Sequence, residues 1–232
     1  MSLHLLALDA SSSACSVALL RREGEHESCL ARFEMTPRAH PRRLMPMVND
    51  VLFEAGVTPA QLDSVAFGRG PGSFTGLRIA AGTAQGLAFG LACPLVGIST
   101  LQALALQAHR RFHCRYVVTA LDARMGEIYA ATWHCADGNV VAQSDEAVLP
   151  PARFSLPGHD TDWVGVGSGF TLWEQFNPDV QVAMSQHLSD LEPRAEEMAW
   201  LAARDIDAGL GQAAHEAQPI YLRNDVAWKK PA

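Results

Sequence analysis

"ALDASSSACSVAL", Ala7–Leu19, reads as a buried strand that ends in an aspartate, turns through serines and returns antiparallel. The same frame recurs at "ALDARMGEIYAAT", Ala120–Thr132. A second echo follows each in the same order: "VAFGRG", Val65–Gly70, and "VGVGSG", Val164–Gly169, both strands ending in Gly-x-Gly. One matching tetrapeptide arises by chance. Two echoes in order, both at strand ends, predict a duplicated α/β unit. The chain has 232 residues, 48% of them hydrophobic, enough to build two packed lobes. No low-complexity linker divides it, so the lobes are expected to pack together and join near residue 100.

Working outward, "HESCLARFEM" continues the first meander as a third strand. "HPRRLMPMVNDVLFEAGV" carries a helical stripe at Leu44, Val48, Val51, Leu52 and Ala55, with Pro41 in its first turn and Gly56 as a stop. Pro46 should disturb its early turns. "TPAQLD" is one more helical turn, capped by Thr58. "SVAF" is a short strand, a small-residue helix spans about Gly76 to Gly90, and "PLVGIS" is a strand whose Ser99 or Thr100 caps the next helix. "PRAEEMAWLAARDIDAG" closes the second half as a helix with Pro193 in its first turn and Gly209 as stop. The uncharged run Ile79–Ile98 is as long as a membrane span. Gly90 and Pro94 divide it into helix, turn and strand instead.

The net charge is −7, so the chain lacks the basic footprint needed to grip nucleic acid unaided, and a partner would hold most of any RNA. Cys15, Cys29, Cys93, Cys114 and Cys135 show no CxxC spacing, which signals neither a disulfide framework nor a zinc knuckle and fits a reducing cytoplasm. "MSLHLLALDASS" has no basic n-region and is interrupted by Asp9, unlike a signal peptide.

Three constellations bear on chemistry. The loop "GRGPGSFTGLR", Gly68–Arg78, is not a P-loop, because Leu77 and Arg78 follow Gly76 where Lys and Ser/Thr are needed. It also misses the dinucleotide fingerprint, since Ser73 stands at the third glycine. Its helix start could hold an anion, or Ser73 and Thr75 could simply cap a tight turn. Asp9, followed by Ser11, Ser12 and Ser13, suits a phosphate or Mg²⁺ site, or else caps its own hairpin. His109-x-x-x-His113 has ligand spacing, but Arg110 and Arg111 lie between and no third ligand is evident, so a surface role is expected. His40, beside Arg38, Arg42 and Arg43, belongs to a polar helix start or contacts a partner or RNA phosphate. No nucleophile motif is present.

Gly82, Gly86 and Gly90 fall on one face of the small-residue helix. Each costs roughly 1 kcal/mol against alanine. Close backbone approach by another helix would offset that cost, as in small-xxx-small pairs. The preceding helix has Met45, Met47 and Phe53 beyond its stripe. An intermolecular contact is favoured here over packing inside one lobe.

Taken together, "LALDASSSACSVAL", "HPRRLMPMV", "GRGPGSFTGLRI", "GISTLQALA", "ALDARMGEIYAA" and "PIYLRNDVAWKK" resemble the TsaB (YeaZ) family from end to end. The resemblance implies an actin-like, ribonuclease-H-like duplicated α/β fold with mixed sheets flanked by helices. Its lobes would be 1–100 and 101–232, the final segment free to pack back on the first lobe. It implies a non-catalytic cytoplasmic subunit, without membrane attachment, that supports threonylcarbamoyladenosine formation in tRNA. Expected partners are TsaD, which transfers the group, the ATPase TsaE, and a second copy as homodimer. ATP or ADP and a metal belong to those partners, and tRNA to the complex. A vestigial cofactor cradle would comprise Asp9, Ser11, Ser12, Gly70, Gly72, Ser73, Gly167 and Gly169. The interface would comprise His40, Leu44, Met47, Val48, Val51, Arg78, Ile79, Gly82, Gly86, Phe89 and Gly90. Where TsaD-like sequences carry an HxxxH metal pair, this chain has Thr100 and Leu104, which cannot replace two imidazoles. The competing reading is a stand-alone actin-like ATPase using Asp9, Ser11 and Gly72, or a metallopeptidase.

Overall fold

The computed structural model describes residues 2–158 and 162–223. The first half runs β1 (Ser2–Asp9), β2 (Ala14–Glu23), β3 (His26–Met35), α1 (His40–Ala55), β4 (Ser64–Gly70), α2 (Phe74–Leu91) and β5 (Leu95–Ser99). The second runs α3 (Thr100–Phe112), β6 (Tyr116–Arg124), β7 (Glu127–Ala136), β8 (Asn139–Ala142), β9 (Ala147–Leu149), β10 (Trp163–Val166), α4 (Pro178–Ala183), β11 (Met184–Leu188) and α5 (Ala195–Asp207). The sheets are ordered β3-β2-β1-β4-β5 and β8-β7-β6-β10-β11. In each, an antiparallel meander feeds two parallel strands on its other side, so the duplicated mixed-sheet fold is present.

The duplication holds in topology but not in register. Leu6 pairs with Val65 in the first sheet, whereas Thr119, its counterpart in the repeated hairpin, pairs with Val166 rather than Val164. The second echo is therefore slipped by two residues. A slip of two keeps every side chain on its original face, so the core tolerates it.

Helices α1 and α2 cover one face of the first sheet, packing Leu44, Val48, Val51, Ala80, Ala84 and Ala88 on Leu6, Leu8, Val17 and Phe67. Its other face meets α5 and one side of α3. The opposite side of α3 packs on the second sheet, and Phe154, Phe170 and Phe176 close that sheet's far face.

Local signals mostly act as their chemistry dictates. Gly56 ends α1 at φ 65° with its N–H turned back on Leu52 and Phe53. Pro46 does not break α1: it sits on the exposed side, where solvent can satisfy the freed carbonyl. Ser99 caps α3, accepting the Gln102 N–H at 3.1 Å. β2 runs on through Arg22, which pairs with Glu27 and Asp207 and so keeps its charge satisfied within the strand. Two expectations need correction. β4 extends to Gly70, two parallel neighbours supporting it. Pro193 lies just outside α5, whose first N–H groups include Ala195 donating to Ser16 Oγ of β2 at 2.9 Å.

Glu197, in the first turn of α5, is buried with Oε2 unpartnered. Burial pushes its carboxyl up to about 7, and Arg110 at 3.9 Å only partly opposes this. The folded state thus holds a proton between the ordinary glutamate range and about pH 7 that the unfolded chain has released. Its stabilising effect is complete at low pH and is lost as pH rises through 7. Glu197→Gln should therefore gain stability on wild type between pH 5 and pH 8, by about 2–3 kcal/mol at most. Urea unfolding at the two pH values checks this; a constant difference would refute it.

Candidate functional site

The glycine loop and the first Asp hairpin are joined at backbone distance. Ser73 N–H donates to Ser11 O at 2.7 Å. A Cβ on Gly72 would lie 2.4 Å from Ser11 O, and one on Gly76 would lie 1.9 Å from Ala10 O. Only glycine fits either position. Ser73 then caps α2, its Oγ facing Gly76 N–H at 3.4 Å. The loop's donor and its tight turn are spent on the protein's own hairpin.

Asp9 lies beneath this junction and is almost fully buried. Its Oδ2 accepts Ser11 N–H at 3.2 Å and Ser11 Oγ–H at 2.9 Å, while Oδ1 has no partner. Burial raises the carboxyl to about 7 despite those hydrogen bonds. Asp122, its counterpart, makes the same i to i+2 turn, accepting Arg124 N–H at 2.7 Å, but is partly exposed and also binds the Arg124 guanidinium. Both aspartates cap their own hairpins.

Between the hairpins lies a cleft of about 1350 Å³. Ser11, Ser12, Gly72 and Ser73 line it together with Asp122, Ser168 and Glu192. Asp9, Gly70, Gly167 and Gly169 do not. Gly167 and Gly169 instead press on Ala120, where Cβ atoms would come within 2.4 and 2.7 Å. The residues at the expected metal pair are also committed elsewhere. Thr100 is buried and donates to Pro71 O at 2.5 Å, and Leu104 packs beside Gly167. Neither side chain is free to ligate, so a metal does not fit there. His109 uses both ring nitrogens on backbone groups, Nδ1 with Cys114 O and Nε2 with Gly138 N–H. Among the described residues no three His, Cys, Asp or Glu side chains cluster as metal ligands.

The open surface is elsewhere. Added Cβ atoms at Gly82, Gly86 and Gly90 would meet nothing within 4 Å. Packing inside one lobe therefore does not explain this ridge. Phe89 beside it is 81% exposed, and Phe53 on α1 is 90% exposed. After Arg78 the helix carries no charge, although this face meets solvent. Leu44, Met47, Val48 and Val51 correct the expected interface: all four are buried against the first sheet and cannot meet another chain. The helical spacing of Leu44, Val48 and Val51 had marked a core stripe, Met47 joins it from beside, and the exposed large apolar residues of α1 are Met45 and Phe53. His40 is half-buried, with Nε2 3.0 Å from Ser12 O. Ile79 packs against the core, while Arg78 is exposed and lies 3.7 Å over the Phe74 ring.

Residues 212–221 pack back on the first lobe. Gln212 and Leu95 exchange backbone bonds, and Ala217 is buried beside α2. The rest of the tail motif, 224–232, lies outside the described residues. Sequence reading missed the tie of Arg69 and Ser99 to Glu146, because Glu146 sits in a loop with no motif around it.

This duplicated, hairpin-sealed architecture defines an actin-like α/β protein. A family model described as "TsaD: tRNA N6-adenosine threonylcarbamoyltransferase" matches residues 34–230. Relatives named tRNA threonylcarbamoyladenosine biosynthesis protein TsaB are 40% identical in Escherichia coli, over 98% of both chains, and 38% identical in Haemophilus influenzae, over 99% of this chain and 97% of the relative. The solved YeaZ from Pseudomonas aeruginosa is 43% identical with a TM-score of 0.88, covering 95% of this chain and all of that one. The chain belongs to the TsaB (YeaZ) family. Among the described residues no helix is long and apolar enough to cross a membrane.

The two classes of glycine should separate cleanly. Gly76→Ala should destabilise by about 1–3 kcal/mol or more, having nowhere to place its methyl. Gly86→Ala should stabilise by about 0.5–1 kcal/mol, an open helix-interior site. Thermal melts of the two variants check the opposite signs.

Proposed function

We propose that this chain is the scaffold subunit of a cytoplasmic assembly that forms threonylcarbamoyladenosine in tRNA, and that it contributes by being held rather than by making bonds. The observation that carries the reading is the uncharged ridge of Gly82, Gly86 and Gly90, open in the single chain and flanked by Phe89. A solvent-facing helix normally carries charge. One that lacks it, beside exposed phenylalanines, suits a covered surface. The backbone at the ridge can accept a second helix at close range. We assign that helix to the catalytic TsaD-type subunit, or to a second copy of this chain as a homodimer. The ATPase TsaE joins the assembly, ATP or ADP and the metal reside on the partners, and tRNA is gripped by the complex. The sealed Asp9, and Thr100 and Leu104 at the metal positions, support the non-catalytic assignment.

Gly86→Arg tests the reading, because the side chain points into open space and should leave the fold intact. Dimerisation by sedimentation velocity, and pairing with the TsaD-type subunit by titration, should each weaken about a hundredfold, equivalent to about 3 kcal/mol. tRNA modification by the reconstituted complex should fall in step. A folded variant that pairs and supports modification as wild type does would refute the interface. Stoichiometric, tight binding of nucleotide or zinc by the isolated chain would instead favour an enzyme.

A further inference from the structure

The segment after α5 begins on one lobe and ends on the other. Gln212 adds to the edge of β5 through two backbone bonds of 2.9 and 3.0 Å. Ala214 and Ala217 are buried in the core under α1 and α2, and Gln85 Nε2 donates to Ala217 O at 2.8 Å. Ile220 N–H donates to Arg69 O at 2.8 Å, at the end of β4. Tyr221 packs on Phe74 at 5.4 Å and accepts from Arg78 Nε at 3.2 Å. From there the chain crosses the cleft, which Ile220 through Arg223 line. Arg223 then pairs with Glu127 and approaches Met125 Sδ at 3.8 Å, both in the second lobe.

The receiving hairpin is unusual in its own right. Arg124, Met125 and Gly126 are consecutive residues in the left-handed region, at φ 63°, 59° and 76°. Two of them are not glycine, which is unfavourable for L residues. A register shift between Asp122 and Arg124 re-aims the tip. Asp122 holds it there through the Arg124 N–H and guanidinium. The strained tip presents Met125, 83% exposed, and Glu127 toward the arriving Arg223.

We propose that residues 212–223 are a latch across the cleft between the lobes, with the Arg223–Glu127 ion pair as its catch. The anchored part is apolar and backbone-bonded, so it stays on the first lobe. Among the described residues, the far end is held by one charged pair, partly exposed, and by a thioether contact. It is the part that can let go. Other ties between the halves, among them Arg69 to Glu146 at 3.4 Å, Thr100 to Pro71 O, Arg22 to Asp207 and Ala195 N–H to Ser16 Oγ, involve no residue of the latch, so releasing the catch opens the cleft mouth without unmaking the fold. This inference does not rest on the scaffold reading and is read on the isolated chain.

Hydrogen exchange on the full-length protein tests it. Arg223→Gln and Glu127→Gln should each speed exchange about three- to tenfold in peptides spanning residues 11–13, 71–75 and 122–126. Amides of α3 and α5 should keep wild-type rates. The charge-reversed double variant, R223E with E127R, should return the cleft peptides to within about twofold of wild type. Wild-type rates in the single variants would overturn the latch. So would a reversed pair that exchanges as fast as the singles. A uniform rise that includes α3 and α5 would also overturn it, since the pair would then support the whole fold rather than close one cleft.

Discussion

The backbone bond from Ser73 to Ser11 O, and the glycine contacts that permit it, govern the molecule. A strand, glycine turn and helix in this position could present N–H groups to a phosphate. Here the turn is driven into the carbonyls of Ala10 and Ser11, so its donor faces protein. Asp9 is sealed below and cannot meet a cation from the cleft. The same contact fixes the start of α2, and from that start the helix rotation follows: Ala80, Ala84 and Ala88 turn inward, and Gly82, Gly86 and Gly90 turn outward. A strand, glycine turn and helix that could have held an anion here serve as a joint that orients a surface.

That surface must be judged by magnitude. Three helix-interior glycines cost the single chain roughly 3 kcal/mol relative to alanine. Burying one large apolar side chain returns about 1.5–3 kcal/mol, so Phe53 and Phe89 in a contact would offset the glycines with some margin. Alanines at the ridge would leave those phenylalanines available but hold the partner backbone away and forfeit close-packed dispersion. The arrangement makes sense for an approach of backbones, with the aromatic side chains at its margins.

Much of the architecture was legible because local chemistry and global fold agree in the repeated units. The Asp hairpins, the capped starts of α2 and α3 and the Gly56 stop each rest on a few neighbouring residues, and each appears where its residues put it. What escaped was set by tertiary context. β11, "MSQHL", has almost no apolar pattern and is a strand because β10 offers it a parallel edge. The open ridge was legible in α2, where glycine announces an absent side chain; the exposed apolar residues of α1 were not, because its periodic apolar residues belong to the core. A stripe of period 3.6 identifies the face that is buried. It does not say whether a methionine beside the stripe goes in or out: Met47 is inside and Met45 outside. Thr100 and Leu104 could be read as non-ligands from chemistry alone, but their tasks, a bond to Pro71 and a seat beside Gly167, required the fold.

The two repeats share a topology and divide the labour. In the first, the aspartate is buried, the loop is clamped to the hairpin, and the helix after it carries the open ridge. In the second, the aspartate is partly exposed, the hairpin tip is strained outward, and the strand pairing has slipped by two residues. Between them, Glu146 takes hydrogen bonds from Arg69 and Ser99, and Thr100 is bonded to Pro71. These ties join strand ends and a helix start that an actin-like hinge would have to move. A catalytic cleft profits from such motion, because closure assembles its groups around substrate. A surface meant to meet another helix backbone at close range profits from the reverse, since every loose degree of freedom ordered on binding weakens the contact. The cross-lobe bonds thus favour a molecule that keeps its shape, the property the proposed scaffold role requires.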